Sequence, residues 1–487
     1  MALNLITDPW IPVRMKDGST RMVTPAGVSD GQVAALEWPR ADLNLACMEL
    51  LIGLVLMADP PVDLKDWSAR QAPDSSRLSQ RSLDYAPAFE LLGGGARFMQ
   101  DRAELEGAGD GVNMLFIDSA GTSTAKKNAD LMPHRGRYDA LQHGLAAMAL
   151  YTLQAFAPSG GAGNRTSMRG GGPMVTLVDP GEGLWSLIWA NVPYGTPATM
   201  DDLPWMRATR TSQKGEVVSH EDAHPVEAFF GMPRRLRLIG DERGIVGVRQ
   251  RPYGTNYAGW VHPCAPYYQQ KAGSEHLPVH PKPGLFGYRN WLGIAYQDSG
   301  GLRHPAQMVM EWFAHRLHHV EDEATLLVAG WAMANMSAQD FIWSRAPLVA
   351  LDLDGLDRLS GLVKAAQTYS SALRRALEPV LEGEAREAEV EAFFAETQAA
   401  FDGLLPRLAE GEDVAQDWLT EMRRVALELF DRRALPLLHV HKLEKKAEIV
   451  ARRGQLAAAF KGYGKYGEGA YRVLEMMPPP RKKGKAA

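Results

Sequence analysis

The sequence predicts an α+β protein in two parts, a large mixed α/β N-terminal domain with long loops followed by a C-terminal antiparallel four-helix bundle. Three observations lead there. Up to about residue 350, short β-rich runs alternate with helical stretches and are punctuated by Gly and Pro at loop spacing. From about residue 353, Gly and Pro become sparse and apolar residues recur every three or four positions through four segments. Finally, 487 residues, 45% hydrophobic and 23% charged, suffice for one large and one smaller core.

The elements follow in chain order. Residues 10–15 and 20–23 flank Asp17-Gly18, the dipeptide of a type I′ turn, so the chain should open with a hairpin. The apolar run 43–58 holds Glu49 and stops at Asp59-Pro60-Pro61, short of the ~20 residues that span a bilayer; it reads as a buried helix. Further strands are expected at 114–117, 174–178, 184–190 and 235–239, and helices at 138–155 and 305–318. In residues 331–338, Met333 and Met336 read by default as helix packing or core filler. The bundle helices are expected at 356–381, 384–404, 413–433 and 438–459, with breaks at Gly383, Pro406 and Pro436 and turns short enough for antiparallel neighbours. The domain limits are therefore 1–352 and 353–475. Residues 476–487, which include Pro478-Pro479-Pro480-Arg481-Lys482-Lys483, read as a disordered basic tail.

Composition excludes several classes. Cys47 and Cys264 lie more than two hundred residues apart, which gives no disulfide framework, zinc knuckle or redox pair. The opening residues Asn4, Thr7, Asp8 and Pro9 lack the basic-then-apolar pattern of an export signal, so a cytoplasmic protein without a membrane partner is expected. The net charge of -5 argues against a nucleic-acid partner, but the average hides the distribution. Residues 121–172 hold six Lys/Arg against Asp130 and Asp139, and residues 232–251 hold six Arg against Asp241 and Glu242. Residues 374–433 carry fifteen Asp/Glu and eight Arg. The ordinary reading of any one such cluster is a solvated face.

Among local motifs, His220-Glu221-Asp222-Ala223-His224 spells H-E-x-x-H, which on a helix would hold zinc and activate water, the chemistry of a zinc-dependent hydrolase. Pro225 follows directly and disfavours the helix the motif needs. Residues 462–467 match G-x-G-x-x-G but follow a helical run and leave too little chain for a dinucleotide fold. There is no P-loop and no G-x-S-x-G elbow, and no cofactor is implied. The most specific feature is residues 160–172, with six Gly, whose exposed backbone can approach a ligand closely while Arg165 and Arg169 supply charge for phosphates. A linker is the plain alternative, but Asn164, Arg165 and Met168 between a helix and a strand fit an ordered recognition loop. A second feature is the Pro-restrained stretch 260–271, which ends in Lys271.

Together these residues resemble the CasA family, the large subunit of the type I-E CRISPR surveillance complex Cascade. The resemblance rests on Asn4-Leu5-Ile6-Thr7-Asp8-Pro9-Trp10-Ile11-Pro12-Val13, on 160–173, on Phe229-Phe230-Gly231-Met232-Pro233-Arg234-Arg235, on His262-Pro263-x-x-Pro266 and on the terminal helical segments. It covers nearly the whole chain. It implies a non-catalytic subunit whose N-terminal domain tests a protospacer-adjacent motif in double-stranded DNA from the minor groove and starts R-loop formation. The implied partners are other Cascade subunits with guide RNA, the target DNA and a helicase-nuclease. By position, the motif-reading loop is Gly160, Gly161, Ala162, Gly163 and Asn164 with Arg165, the motif lysine is Lys271, and the strand-separating wedge is Asn335, Met336 and Ser337. The family has Gln where this chain has Met336, and an apolar wedge is physically reasonable. A loop at 119–134, with Lys126, Lys127 and Asn128, is implied to meet the guide RNA and target duplex, and it lacks the aromatic residue the family carries there. The rival readings are the zinc hydrolase on His220, Glu221 and His224 and a protein-only scaffold.

Overall fold

The structure, a computed structural model, describes residues 3–119, 126, 134–161, 163–298, 300–320, 324–334, 337–478 and 480. Helices mix with small antiparallel sheets, as expected. The chain forms two compact units: Met1–Gly284 with His304–Arg345, and Leu285–Arg303 with Ala346–Ala487.

In the first unit the opening residues form a structural knot. Asn4 Oδ1 accepts the N–H groups of Ile6 and Thr7 at 3.0 and 3.2 Å, its Nδ2 donates to Ala86 O and Glu90, and its own N–H donates to Asp8. Strand Ile11–Met15 then pairs with Thr20–Val23 on one side and Val33–Leu36 on the other. The hairpin is present, but its turn differs from the expected type I′. Gly18 donates to Met15 O at 3.0 Å with φ +85°, whereas Asp17 is not left-handed, and its carboxylate accepts the N–H and the hydroxyl of Ser19.

Helix Ala41–Ala58 runs through the core. It is the one described helix long and apolar enough to cross a membrane, yet 89% of it is buried in protein. Gly53 is required here, since a Cβ would lie 2.7 Å from Phe229 Cβ. Helix His143–Phe156 packs against it. The strand expected at 184–190 is instead helix Leu184–Ala190. Trp185 and Trp189, one turn apart, stack at 5.6 Å, and Trp189 exchanges reciprocal indole-to-carbonyl bonds with Trp67. The strand expected at 114–117 is a helical turn, Val112–Leu115, which leads Phe116 onto Tyr138 at 4.9 Å. The helix expected at 305–318 is interrupted: Gln307–Glu311 passes into a π-turn, Trp312–Arg316, and then into Leu317–His319. That turn seats the fully buried Arg316 between Trp67 and Tyr194, where it donates to Ala190 O and Val192 O.

The helical default for 331–338 is also overturned. Strands Thr325–Ala334 and Ser337–Pro347 form a hairpin, and residues 325–329 pair antiparallel with Val175–Asp179. A fully apolar run has no periodicity to separate buried strand from helix. Strands Arg235–Asp241 and Gly244–Arg251 form a second long hairpin.

The second unit holds helices Leu353–Ala376, Gly383–Ala409, Ala415–Ala434, Leu443–Ala459 and Gly464–Val473. Asp352 caps the first by accepting the Gly355 N–H at 2.7 Å. Pro406 does not end the second helix, which runs on to Ala409. The fifth helix had no expectation in the sequence; it packs on the first, where a Cβ at Gly361 would lie 2.2 Å from Val473 O. Residues 285–303 bring Tyr288 into this unit, stacked on Phe401 at 4.2 Å and edge-on to Trp418. Pro479 and residues 481–487, most of the expected tail, lie outside the described residues, and Met476 at its start donates its N–H to Tyr471 O at 2.9 Å.

Candidate nucleic-acid interface

Residues 160–172 join helix His143–Phe156 to strand Val175–Asp179 as closed turns. Asn164 donates to Gly161 O at 2.8 Å and Gly160 to Asn164 O at 3.3 Å. Ser167 donates to Ala157 O, Gly170 to Ser167 O, and Gly172 returns to Phe156 O. An ordered loop, rather than a linker, is what such closure makes. Gly161, Gly163, Gly170 and Gly172 all adopt left-handed φ between +61° and +80°. At Gly172 a Cβ would lie 2.6 Å from Trp331 O, whereas at Gly161 nothing stands within 4 Å. Backbone is therefore bare at the exposed tip and jammed at the root. Ala162 lies outside the described residues.

Two further loops are rooted in the same segment. Lys271 occupies the turn between strands Tyr267–Tyr268 and Leu277–Pro278; beyond it, Val279 O accepts the Met174 N–H at 3.1 Å and the His280 ring meets Gly172 O at 3.3 Å. Lys271 is exposed, its backbone is fastened by Ser274, and it has no carboxylate partner among the described residues. The hairpin Thr325–Ala334/Ser337–Pro347 lays Trp331 and Met333 on Gly172. Ser337 is exposed at the start of the second strand, and Asn335 and Met336 lie outside the described residues.

The charges divide unexpectedly. Arg165 is half-buried and donates to Ser212 Oγ at 2.9 Å. Arg169, expected to face phosphates with it, is 3% exposed and bidentate to Glu49 at 2.7 and 2.9 Å, so its charge is neutralised inside. Burial opposes that guanidinium's charge, but Glu49 outweighs it and raises its pKa. His262 is fully buried, with Nε2 3.8 Å from Glu49; burial, then Arg169, pushes its pKa well below the usual histidine value and keeps it neutral.

Arg234 was not singled out from the sequence, although it lies in a quoted motif. It is 7% exposed, donates to Pro158 O at 2.5 Å, and has no carboxylate partner among the described residues. A Cβ at Gly160 would meet its Nη1 at 2.5 Å, so this cation lies against the first turn; burial lowers its pKa to about 10, still charged at neutral pH. Asn164 Oδ1 accepts from Gln250 at 3.1 Å.

The loop at 119–134 is clamped at its base. Arg137 is bidentate to Asp118 at 2.9 and 3.0 Å, and Arg40 joins at 3.1 Å. Lys126 is exposed, while Lys127 and Asn128 lie outside the described residues. The H-E-x-x-H reading fails on geometry. His220–Asp222 is a single 3-10 turn capped by Ser219, Ala223 is extended, and His224 Nδ1 accepts the Val226 N–H, so no helix aligns the two imidazoles.

The family described as CRISPR-associated protein Cse1 matches residues 4–429. Among solved structures, Thermus thermophilus CasA (Cse1) is 19% identical, with a TM-score of 0.72 over 94% of this chain and 99% of that one. Cse1 from Acidimicrobium ferrooxidans is 18% identical, with a TM-score of 0.71 over 98% and 99%. A chain of a structure described as a CRISPR RNA-guided surveillance complex is 17% identical, with a TM-score of 0.70 over 93% and 99%.

Proposed function

Because the chain belongs to the CRISPR-associated Cse1 family, we propose that it is the non-catalytic large subunit of a type I-E Cascade surveillance complex working in the cytoplasm. In this reading it tests the protospacer-adjacent motif in double-stranded DNA, begins strand separation beside it, and helps recruit the helicase-nuclease in antiviral defence. Its helical second unit, read as an antiparallel bundle, serves subunit contacts.

One observation carries the reading. Three features, the Gly-rich turns from Gly160 to Arg165, the turn at Lys271 and the strand ends Ala334 and Ser337, are rooted in the one segment around Gly172. The first presents open backbone at Gly161, the second an exposed ammonium, and the third two exposed strand ends. Backbone and one cation suit the minor groove, whose donor and acceptor pattern is degenerate, so tolerance of several motifs is expected. A hairpin tip can unstack a base step at a cost of a few kcal/mol, which guide pairing offsets. Arg234 adds fixed positive charge against the first turn.

The test is binding of the guide-loaded complex, with and without this chain, to duplex DNA carrying a matching target and candidate motif. Omission should abolish tight duplex binding and largely spare single-stranded target. Equal duplex binding in both cases would refute the proposal.

A further inference from the structure

The hairpin Arg235–Asp241/Gly244–Arg251 sets arginine against arginine: Arg235 faces Arg251 and Arg237 faces Arg249 across the strands. Like charges directly opposite destabilise a ladder unless something neutralises them. Two are neutralised within the fold. Arg235 donates to Asp101 at 2.6 Å and Arg237 to Glu104 at 2.7 Å. The other two are not. Among the described residues, Arg249 reaches only Gly107 O at 3.2 Å and Arg251 only Gln250 O at 3.0 Å, and both are half-buried with no carboxylate. Arg97 stands by them, donating to Gly93 O, with its pKa pulled down by burial and then by the charges of Arg237 and Arg249, which outweigh the opposing pull of Glu104. Five guanidiniums thus share two carboxylates.

The strand that carries this surplus also reaches the candidate interface, from its other face. Gln250, between the two free arginines, donates to Asn164 at 3.1 Å, and Tyr253 donates its N–H to Gly163 O at 2.8 Å. We infer that Arg249 and Arg251, with Arg97 beside them, hold the phosphate backbone of duplex DNA on the flank of the Gly-rich turn, irrespective of base sequence. Guanidinium forks match phosphate oxygens, and such contacts fix register without reading bases. This deepens the proposed function, since it assumes that duplex lies at the Gly-rich turn.

The test compares Arg249→Ala/Arg251→Ala, Arg249→Lys/Arg251→Lys and Gly161→Ala chains, each assembled into the guide-loaded complex. Duplex affinity is measured with and without the motif from about 50 to about 200 mM salt. The alanine pair should make the slope of log affinity against log salt shallower by about two, at roughly 0.9 per lost phosphate contact, and weaken both duplexes by the same factor. The lysine pair should keep the slope, which separates charge from a folding defect. Gly161→Ala should narrow the gap between the duplexes and leave the slope alone. An unchanged slope in the alanine pair overturns the inference. So does a loss confined to motif-bearing DNA, or loss of guide RNA from the complex, which would assign the arginines to the RNA backbone. If Gly161→Ala preserves discrimination while the alanine pair still shifts the slope, motif reading fails and the backbone contact stands.

Discussion

Arg169→Ala should be strongly destabilising although Arg169 is buried away from solvent. The pair it forms with Glu49 has contacts of 2.7 and 2.9 Å, with both side chains at most 3% exposed. At ~3 Å and an effective dielectric of about 20, the attraction is about 5 kcal/mol. Removing one partner of such a pair typically costs about 3 to 5 kcal/mol, because the other charge stays buried. The assay is urea unfolding followed by tryptophan fluorescence at neutral pH. A Glu49→Gln/Arg169→Met double variant should recover most of the loss, since it leaves no buried charge. The reasoning fails if Arg169→Ala lies within about 0.5 kcal/mol of the parent, or if the double variant is as unstable as the single.

Lys271→Ala removes an exposed side chain, so stability should stay within about 0.5 kcal/mol while the complex loses about 1 to 3 kcal/mol of affinity for motif-bearing duplex. Unchanged target affinity would remove Lys271 from the motif reader. His262 has a depressed folded pKa, so below about pH 6.5 the unfolded chain takes a proton that the folded chain refuses. Stability should therefore fall with acidification by up to about 1.4 kcal/mol per pH unit, and His262→Asn should flatten that slope in pH-dependent thermal melts. An identical slope in the variant would assign the acid sensitivity to other groups.

Local pattern was legible wherever one periodicity or one turn residue dominated. The opening hairpin, the core helix with its buried Glu49, the strand Val175–Asp179 and the helices after residue 353 could all be read that way. Apolar runs without periodicity could not. Residues 184–190 and 325–334 are similarly apolar, and only the partners, Trp67 for one and Val175–Asp179 for the other, make the first a helix and the second a strand. The fifth helix escaped because Gly462, Gly464 and Gly467 read as loop, whereas Gly467 is there to let the backbone pass Ala459 O, 2.6 Å from where a Cβ would stand. The candidate site was legible as a set of loops, since glycine content and an isolated lysine are local features. That the loops share a root at Gly172 was not, because the contacts join residue 172 to 280 and 331.

Charge shows the same limit more sharply. The sequence offered two arginine-bearing stretches as basic surface, and the fold sorted them by acids far along the chain. Glu49 takes Arg169 across 120 residues, and Asp101 and Glu104 take Arg235 and Arg237 across 134 and 133. What remains outside is fixed by which carboxylates fail to arrive. A run of arginines is therefore an upper bound on basic surface, and the lower bound is the half-buried subset whose only partners among the described residues are carbonyls, here Arg249, Arg251 and Arg97, while Arg234 is carbonyl-bound but buried. Carbonyls orient a guanidinium without cancelling its charge, so these side chains stay both positioned and attractive to phosphate. In a chain whose net charge is -5, affinity for a polyanion has to come from such local surpluses, and it should weaken with salt in proportion to the few arginines that the fold leaves unpaired.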